Sequence, residues 1–297
     1  MIIDHNFSPP HSLEISYVDD KQERQFQDFY FEPYRWKKVG KRSPNKHHKY
    51  ESWDGDPVQK NTKVKYPDKY AVWEYLDKLK KRNPEVFEAN IPKPYFCDIE
   101  VLSDEGFPDP NEVKHPVTSI AVHNMDDNCY VLGLQDLTTK QCNQIEERVN
   151  EYFSDYDLDV TISFKSFENE RDMLGFFFYQ LLPKIYLMTG WNFVYFDWKY
   201  LYKRAKKLDL DIGKASITGE VGYEGRRGWA IPKHMTILDY QHLFGKYDYS
   251  IKIKENEKLD WVAEQVLGLK KLGYENSLLD LHDKNYPKFL TYNIIDT

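Results

Sequence analysis

Cysteine is scarce: among 297 residues only Cys97, Cys129 and Cys142 occur, an odd number without metal-ligand spacing. A disulfide framework and a thiolate zinc cluster are therefore excluded as organising principles, and a reducing compartment fits best. No cleavable leader is expected, because Met1-Ile2-Ile3-Asp4-His5 has neither a basic start nor an apolar segment. Long hydrophobic runs are missing as well. The most apolar stretch, residues 174–196, is broken by Pro183-Lys184 and interrupted by Asn192, so it reads as two buried elements and no membrane association is expected. A mean hydropathy of -0.73 with 30% charged residues describes a soluble protein. The length allows two domains or one large one.

Charge is unevenly distributed. The net charge is -7, yet the first 94 residues are net basic and the remainder carries all of the negative excess. The basic residues concentrate in residues 35–49, where Arg35, Lys37, Lys38, Lys41, Arg42, Lys46 and Lys49 occur with no acid among them. Such a run is ordinarily a solvated loop. The preceding rings of Phe29, Tyr30, Phe31, Tyr34 and Trp36 leave open a nucleic-acid surface, since bases stack on rings and phosphates attract cations, while strand cores use aromatics at the same density.

One short stretch carries the most chemistry: Tyr95-Phe96-Cys97-Asp98-Ile99-Glu100-Val101. With the period of a strand, Tyr95, Cys97, Ile99 and Val101 face one way, and Phe96, Asp98 and Glu100 the other. Two carboxylates then stand side by side, which is unfavourable unless a hard cation with oxygen ligands compensates them. The spacing recurs at Asp54/Asp56, Asp155/Asp157, Asp157/Asp159, Glu168/Glu170, Asp209/Asp211 and Glu255/Glu257, where solvated loops or helix faces are expected. Only the pair at 98 and 100 lies in a run of high β propensity, where an unpaired charge is costly.

Around that strand the pattern predicts strands within residues 12–36, a loop over 40–64, a helix over 69–81, and a domain boundary at Pro84, Pro92 and Pro94. Beyond it come strands near 117–123 and 129–134, a polar helix over 141–153, a strand at 160–164, a helix over 168–182 and a strand over 184–189. This order is that of a mixed α/β sheet. A helix follows over 196–208 with Asp197 in its first turn, where simple capping explains the carboxylate. Residues 217–237 suggest a hairpin with a basic tip at Arg226 and Arg227, and short helices are expected over 258–267 and 276–283. In the last segment Tyr292 and Asp296 are four apart and share a helical face.

Taken in order, Asp98-x-Glu100, Asn192-Phe193-Val194-Tyr195-Phe196-Asp197 and Tyr292-x-x-x-Asp296 resemble the three exonuclease motifs of family B DNA polymerases. Asp98-Ile99-Glu100-Val101, Gly106-Phe107-Pro108, Lys114-His115-Pro116, Thr189-Gly190-Trp191-Asn192 and Tyr292-Asn293-Ile294-Ile295-Asp296 are similar to the replicative polymerases of T-even type tailed phages. The resemblance implies an α/β, ribonuclease H-like (DnaQ-like) exonuclease domain over 95–297, with a mixed sheet flanked by helices, preceded by a smaller α+β amino-terminal domain over 1–94. It implies the tyrosine-bearing class of metal-dependent 3′–5′ DNA exonuclease. In that class Asp98, Glu100 and Asp296 hold the first of two divalent ions, Mg or Mn, with Asp98 also reaching the second. Asp197 supports the second, and Tyr292 orients the attacking water. Phe107 is expected to stack on a base near a single-stranded 3′ end, with a buried loop anchor the equal alternative; Asn192 is expected to contact the strand, and Arg226 and Arg227 to help part primer from template, with a solvated turn the alternative. The implied partners are primer-template DNA and a carboxy-terminal polymerase portion or chain, because palm, fingers and thumb are not within these 297 residues. The implied location is the cytoplasm of a phage-infected host cell. A non-catalytic assembly fragment of a split polymerase is the competing expectation, and an RNA nuclease of the same superfold a third. The segment over 249–267 fits the subgroup poorly.

Overall fold

A computed structural model describes residues 2–39, 49–88, 92–104, 106–156, 158–250, 256–274 and 277–297. The chain divides into two compact units, Met1–Pro92 and Lys93–Thr297.

In the first unit, β1 (Ile2–Ser8), β2 (Ser12–Val18) and β3 (Arg24–Tyr30) form an antiparallel meander, and β4 (Arg35–Lys38), β5 (Tyr50–Glu51) and β6 (Pro57–Asn61) form a second small sheet in the order β4-β6-β5. Helices α1 (Lys69–Lys80) and α2 (Pro84–Glu88) complete it. Asp68 starts α1 by accepting the Ala71 N–H at 2.8 Å, and its other oxygen accepts the Trp36 N–H at 2.7 Å, so one carboxylate ties helix to sheet. Strands β5 and β6 fall where the turn-rich composition of 40–64 suggested only loop.

The aromatic run beside the basic stretch belongs largely to this unit's interior. Phe31 and Tyr34 lie in its core with Leu13, Ile15 and Val72. The Lys60 ammonium sits 4.0 Å from the Tyr34 ring centroid and 5.1 Å from that of Trp36. Of the basic residues, Lys41, Arg42 and Lys46 lie outside the described residues.

The second unit is built on one sheet whose described strands run β10-β9-β8-β7-β11-β12. They are β7 (Tyr95–Val101), β8 (Val117–Asn124), β9 (Asn128–Gly133), β10 (Thr161–Ser166), β11 (Leu187–Thr189) and β12 (Thr236–Ile237). β8 runs antiparallel to β7 and to β9 on either side of it, whereas β10 joins β9, β11 joins β7 and β12 joins β11 in parallel. The helices are α3 (Thr139–Tyr152), α4 (Glu170–Phe176), α5 (Asp197–Lys207), α6 (Tyr240–Tyr247), α7 (Leu259–Leu267), α8 (Leu278–Lys284) and α9 (Tyr286–Asp296). On one face of the sheet Cys97, Ile99, Ile120 and Val122 pack under Met173, Phe177, Trp198 and Leu201 of the α4–α5 layer. On the other, Ala121, Cys129 and Val131 pack under Ile145 and Val149 of α3 and Phe289, Leu290 and Ile294 of α9.

The close seat of α9 depends on a missing side chain. A Cβ on Gly133 would lie 2.2 Å from the Tyr286 hydroxyl oxygen, which accepts the Leu134 N–H at 3.1 Å. At its start Asn285 accepts the Lys288 N–H, and Pro287 occupies the first turn, where no N–H is needed.

The single helix expected over 168–182 is interrupted. After α4 the backbone widens into a π turn, Phe177–Leu181, closed by the Leu182 N–H on the Phe177 carbonyl, then tightens into a 3-10 turn, Leu182–Lys184. Pro183 explains this, since its ring would strike the Tyr179 carbonyl of a regular helix. The hairpin expected over 217–237 is reduced to a Val221–Pro232 bridge and neighbouring backbone bonds, with a 3-10 turn, Gly225–Arg227, at its tip. No helix among the described residues is long and apolar enough to cross a membrane.

Glu170, expected on a solvated face, is buried. Its carboxylate takes the Arg204 guanidinium in two bonds of 2.7 Å and the Val117 N–H at 2.8 Å, and Arg204 also donates to the Val113 carbonyl at 3.0 Å. This pair tethers the loop after β7 to α4 and α5. Replacing one member strands the other charge, so Arg204→Met should lower the stability of the unit by about 3–5 kcal/mol in urea unfolding. A loss below about 1 kcal/mol would show the pair to be dispensable.

Candidate active site

Strand β7 lies inside the sheet, and its alternation turns Asp98 and Glu100 toward α9, opposite Ala121 and Ser119 of β8. Glu100 is 8% exposed, and Asp98 is half-buried. The third carboxylate arrives because β11 is short. β11 ends at Thr189, opposite Phe96, and the chain turns away at Gly190, where a Cβ would lie 2.4 Å from the Cys97 carbonyl oxygen. Beyond that point the Ile99 N–H is taken by Asp197 Oδ1 at 3.2 Å. Asp197, 3% exposed, is therefore not a solvated helix cap: it reaches from the first turn of α5 to the strand that carries the first pair.

The fourth carboxylate comes from the last turn of α9. Asp296 Oδ2 pairs with Lys271 Nζ at 2.5 Å, and the same ammonium lies 4.7 Å from the Tyr292 ring centroid. The Tyr292 hydroxyl faces the Asp296 carboxylate, and its ring meets Tyr274 edge-on at 5.3 Å. One residue after Tyr292, the fully buried Asn293 donates to Asp98 Oδ2 at 2.8 Å.

Burial sets the electrostatics. It pushes Asp98 up to about 8, helped by the Asp296 charge and opposed by Lys271 and Asn293. Glu100 is driven well up by burial and then by Asp98 and Asp296, and Asp197 by burial and Asp98. Asp296 is raised by burial against the pull of Lys271, and the Tyr292 phenol is raised by burial and by Asp296. Glu100 feels the charge of the other three, Asp98 that of Asp296 and Asp197 that of Asp98, and Lys271 opposes the rise at Asp98, Glu100 and Asp296. Hard oxygen donors with uncompensated negative charge suit a divalent ion such as Mg or Mn. The expected ligand set is nonetheless not drawn into one cage: among the described residues no group of three or more His, Cys, Asp or Glu closes on a metal position. Repulsion is relieved instead by protein donors, with Asn293 on Asp98, the Ile99 N–H on Asp197 and Lys271 on Asp296.

The other expected residues lie around this centre to different degrees. Phe107 is 82% exposed and rests against Phe196, centroids 4.8 Å apart, so it is not a buried loop anchor. Asn192, at φ 57°, shapes the turn into α5 by accepting the Tyr195 and Phe196 N–H groups, and it lines an open cleft with Trp191 and Lys271. Arg226 and Arg227 are exposed at the 3-10 tip, with Arg227 5.3 Å from the Trp229 ring centroid. A cavity of about 300 Å³ opens beside Asp296 and Lys271, walled by Phe96, Trp191, Tyr240 and Phe244. Sequence reasoning missed two residues, Lys271 and Asn293. Lys271 sits in a segment without periodicity, one of two adjacent lysines, whereas Asn293 lies inside the Tyr292–Asp296 segment, where an amide in an otherwise apolar stretch was the available signal.

The model of DNA polymerase family B, exonuclease domain, matches residues 1–250. The chain belongs to this family. It is 28% identical over 219 residues to the DNA-directed DNA polymerase of Escherichia phage RB69, covering 67% of this chain and 24% of that one. To the enzyme of the same description from Enterobacteria phage T4 it is 28% identical over 232 residues, covering 71% and 25%. To DNA polymerase 1 of Sulfolobus acidocaldarius it is 27% identical over 217 residues, covering 71% and 22%. The chain thus spans about a quarter of the length of these relatives. Lys271, Tyr292 and Asp296 lie beyond the matched residues of the family model.

For a family B exonuclease domain the charge cluster has a measurable consequence. Between pH 3.8 and about 8 the folded chain keeps a proton on Asp98 that the unfolded chain has released, so metal-free stability falls as pH rises through that window. Glu100, Asp197 and Asp296 act in the same direction. Melting in the presence of a chelator should occur at lower temperature at pH 8 than at pH 5, and added Mn should raise it more at pH 8. A melting temperature that climbs toward pH 8 without metal would contradict this electrostatic picture.

Proposed function

We propose that this chain is a metal-dependent 3′–5′ exonuclease that acts on single-stranded DNA ends and proofreads for a family B polymerase. The observation that carries the reading is the convergence of Asp98, Glu100, Asp197 and Asp296 with Tyr292 at one end of the sheet. The strand order around β7, three antiparallel strands continued by parallel β11 and β12, supports a ribonuclease H-like assignment for the second unit. The first unit is then the amino-terminal domain, and a carboxy-terminal polymerase portion or chain is the partner.

Asp98, Glu100 and Asp296 would hold one divalent ion, and Asp98 with Asp197 a second. Two such ions, Mg or Mn, supply Lewis-acid activation of water and neutralise charge on the phosphodiester. The protein's own part is positional. Tyr292, its hydroxyl facing Asp296, orients the attacking water. Lys271 keeps a positive charge beside Asp296 and, with Trp191 and Phe244, walls the cavity next to it. The exposed Phe107 offers a ring to a base near the 3′ end, Asn192 contacts the strand, and Arg226 and Arg227 meet the primer-template junction.

A 5′-labelled single-stranded DNA oligonucleotide incubated with the chain and Mn or Mg should shorten stepwise from its 3′ end, and a chelator should stop it. Asp98→Ala should lower the rate by more than about 10²-fold, as removal of transition-state charge stabilisation does. A folded wild-type chain that makes no ladder would favour the assembly-fragment reading, and faster cleavage of RNA would favour an RNA nuclease. Separately, Phe107→Ala should weaken binding of single-stranded DNA by about 1–3 kcal/mol in fluorescence anisotropy if the ring stacks on a base. Unchanged binding would remove Phe107 from the DNA path.

A further inference from the structure

Asn293 is fully buried between α9 and the sheet, and both ends of its amide are engaged. Nδ2 donates to Asp98 Oδ2 at 2.8 Å, while Oδ1 accepts the Ser119 hydroxyl at 2.8 Å. The orientation of the amide follows from its partners. In the ionised form that a metal ligand must take, the Asp98 carboxylate only accepts, so the nitrogen faces Asp98, the oxygen faces Ser119, and the hydroxyl must donate. Ser119 is itself fully buried on β8, directly opposite Glu100, and next along the same face is Ala121, opposite Asp98. The small Ala121 side chain leaves room for the asparagine to reach Asp98. Three elements, β7, β8 and α9, thus meet in one directional chain of hydrogen bonds that ends on the first carboxylate of the site. With its amide engaged at both ends, Asn293 is held in one orientation by this buried network.

We propose that Asn293, its amide locked by Ser119, is a positioning residue that engages one oxygen of Asp98 and presents the other to the divalent cation of the exonuclease site. The proposal rests on the function assigned above. Asn293 touches neither ion nor substrate; it acts through Asp98, as partners behind metal-ligating carboxylates do.

The test is Mn binding to the full chain, read by the electron paramagnetic resonance of free Mn, with circular dichroism to check folding. Asn293→Leu, nearly the same size but without the amide, should bind Mn about 10–100-fold more weakly than wild type. Ser119→Ala should weaken binding in the same sense but less, and Ser119→Thr, which keeps the hydroxyl, should restore it. Exonuclease activity of Asn293→Leu should recover as Mn is raised, whereas a general packing defect would not respond to the ion. Folded Asn293→Leu and Ser119→Ala variants that bind Mn as wild type does would overturn the positioning role. If Asn293→Leu does not fold, Ser119→Ala with its threonine counterpart decides alone. Wild-type Mn binding by Asp98→Ala would remove instead the active-site reading beneath the proposal, so the two failures are distinguishable.

Discussion

Four carboxyl groups, Asp98, Glu100, Asp197 and Asp296, are held in a partly buried space where β7, the start of α5 and the end of α9 come together; burial raises the cost of ionising each, and the Asp98 and Asp296 charges add to it at Glu100, Asp296 at Asp98 and Asp98 at Asp197. A folded chain that concentrates negative charge in this way gives up stability at neutral pH. The framework around the cluster is correspondingly firm. β7 has a strand on either side and layers on both faces, and α9 is seated through Gly133 and buried through Phe289, Leu290 and Ile294. Packing that the carboxylates do not share in holds them where their own repulsion would not.

Each carboxylate is held by a different local device. Alternation along β7 delivers Asp98 and Glu100, the early end of β11 leaves the Ile99 N–H for Asp197, and one helical turn separates Tyr292 from Asp296. Lys271 crosses from outside these elements, in a segment anchored by the Tyr152 hydroxyl on the Lys270 carbonyl at 2.6 Å. Its ammonium compensates a single negative charge, which leaves the cluster still suited to a multivalent cation.

Much of this was legible in the sequence for physical reasons that can be named. β7 and its paired carboxylates could be read because two charges in a strand run break an otherwise apolar pattern, and α9 because proline marks its start. Asp197 was ambiguous: a carboxylate in a first helical turn is ordinarily explained by the helix alone, and only the length of β11 reveals its other partner. Glu170 looked solvated because its partner Arg204 lies 34 residues away on another helix. Lys271 was illegible for the same reason, being paired with Asp296 across a stretch without periodicity. The interruption after α4 follows from Pro183, a signal that was present but read as a boundary between elements instead of a local widening of the helix.

The proposed chemistry rests on clustered carboxylates matched to a multivalent cation, so the most direct measurement is where such a cation sits. Diffraction data collected at the manganese edge from crystals grown with Mn should show anomalous density among Asp98, Glu100 and Asp296, with the Lys271 ammonium drawn off Asp296. Ordered Mn elsewhere on the molecule, with the Lys271–Asp296 pair intact and no density at these carboxylates, would contradict it.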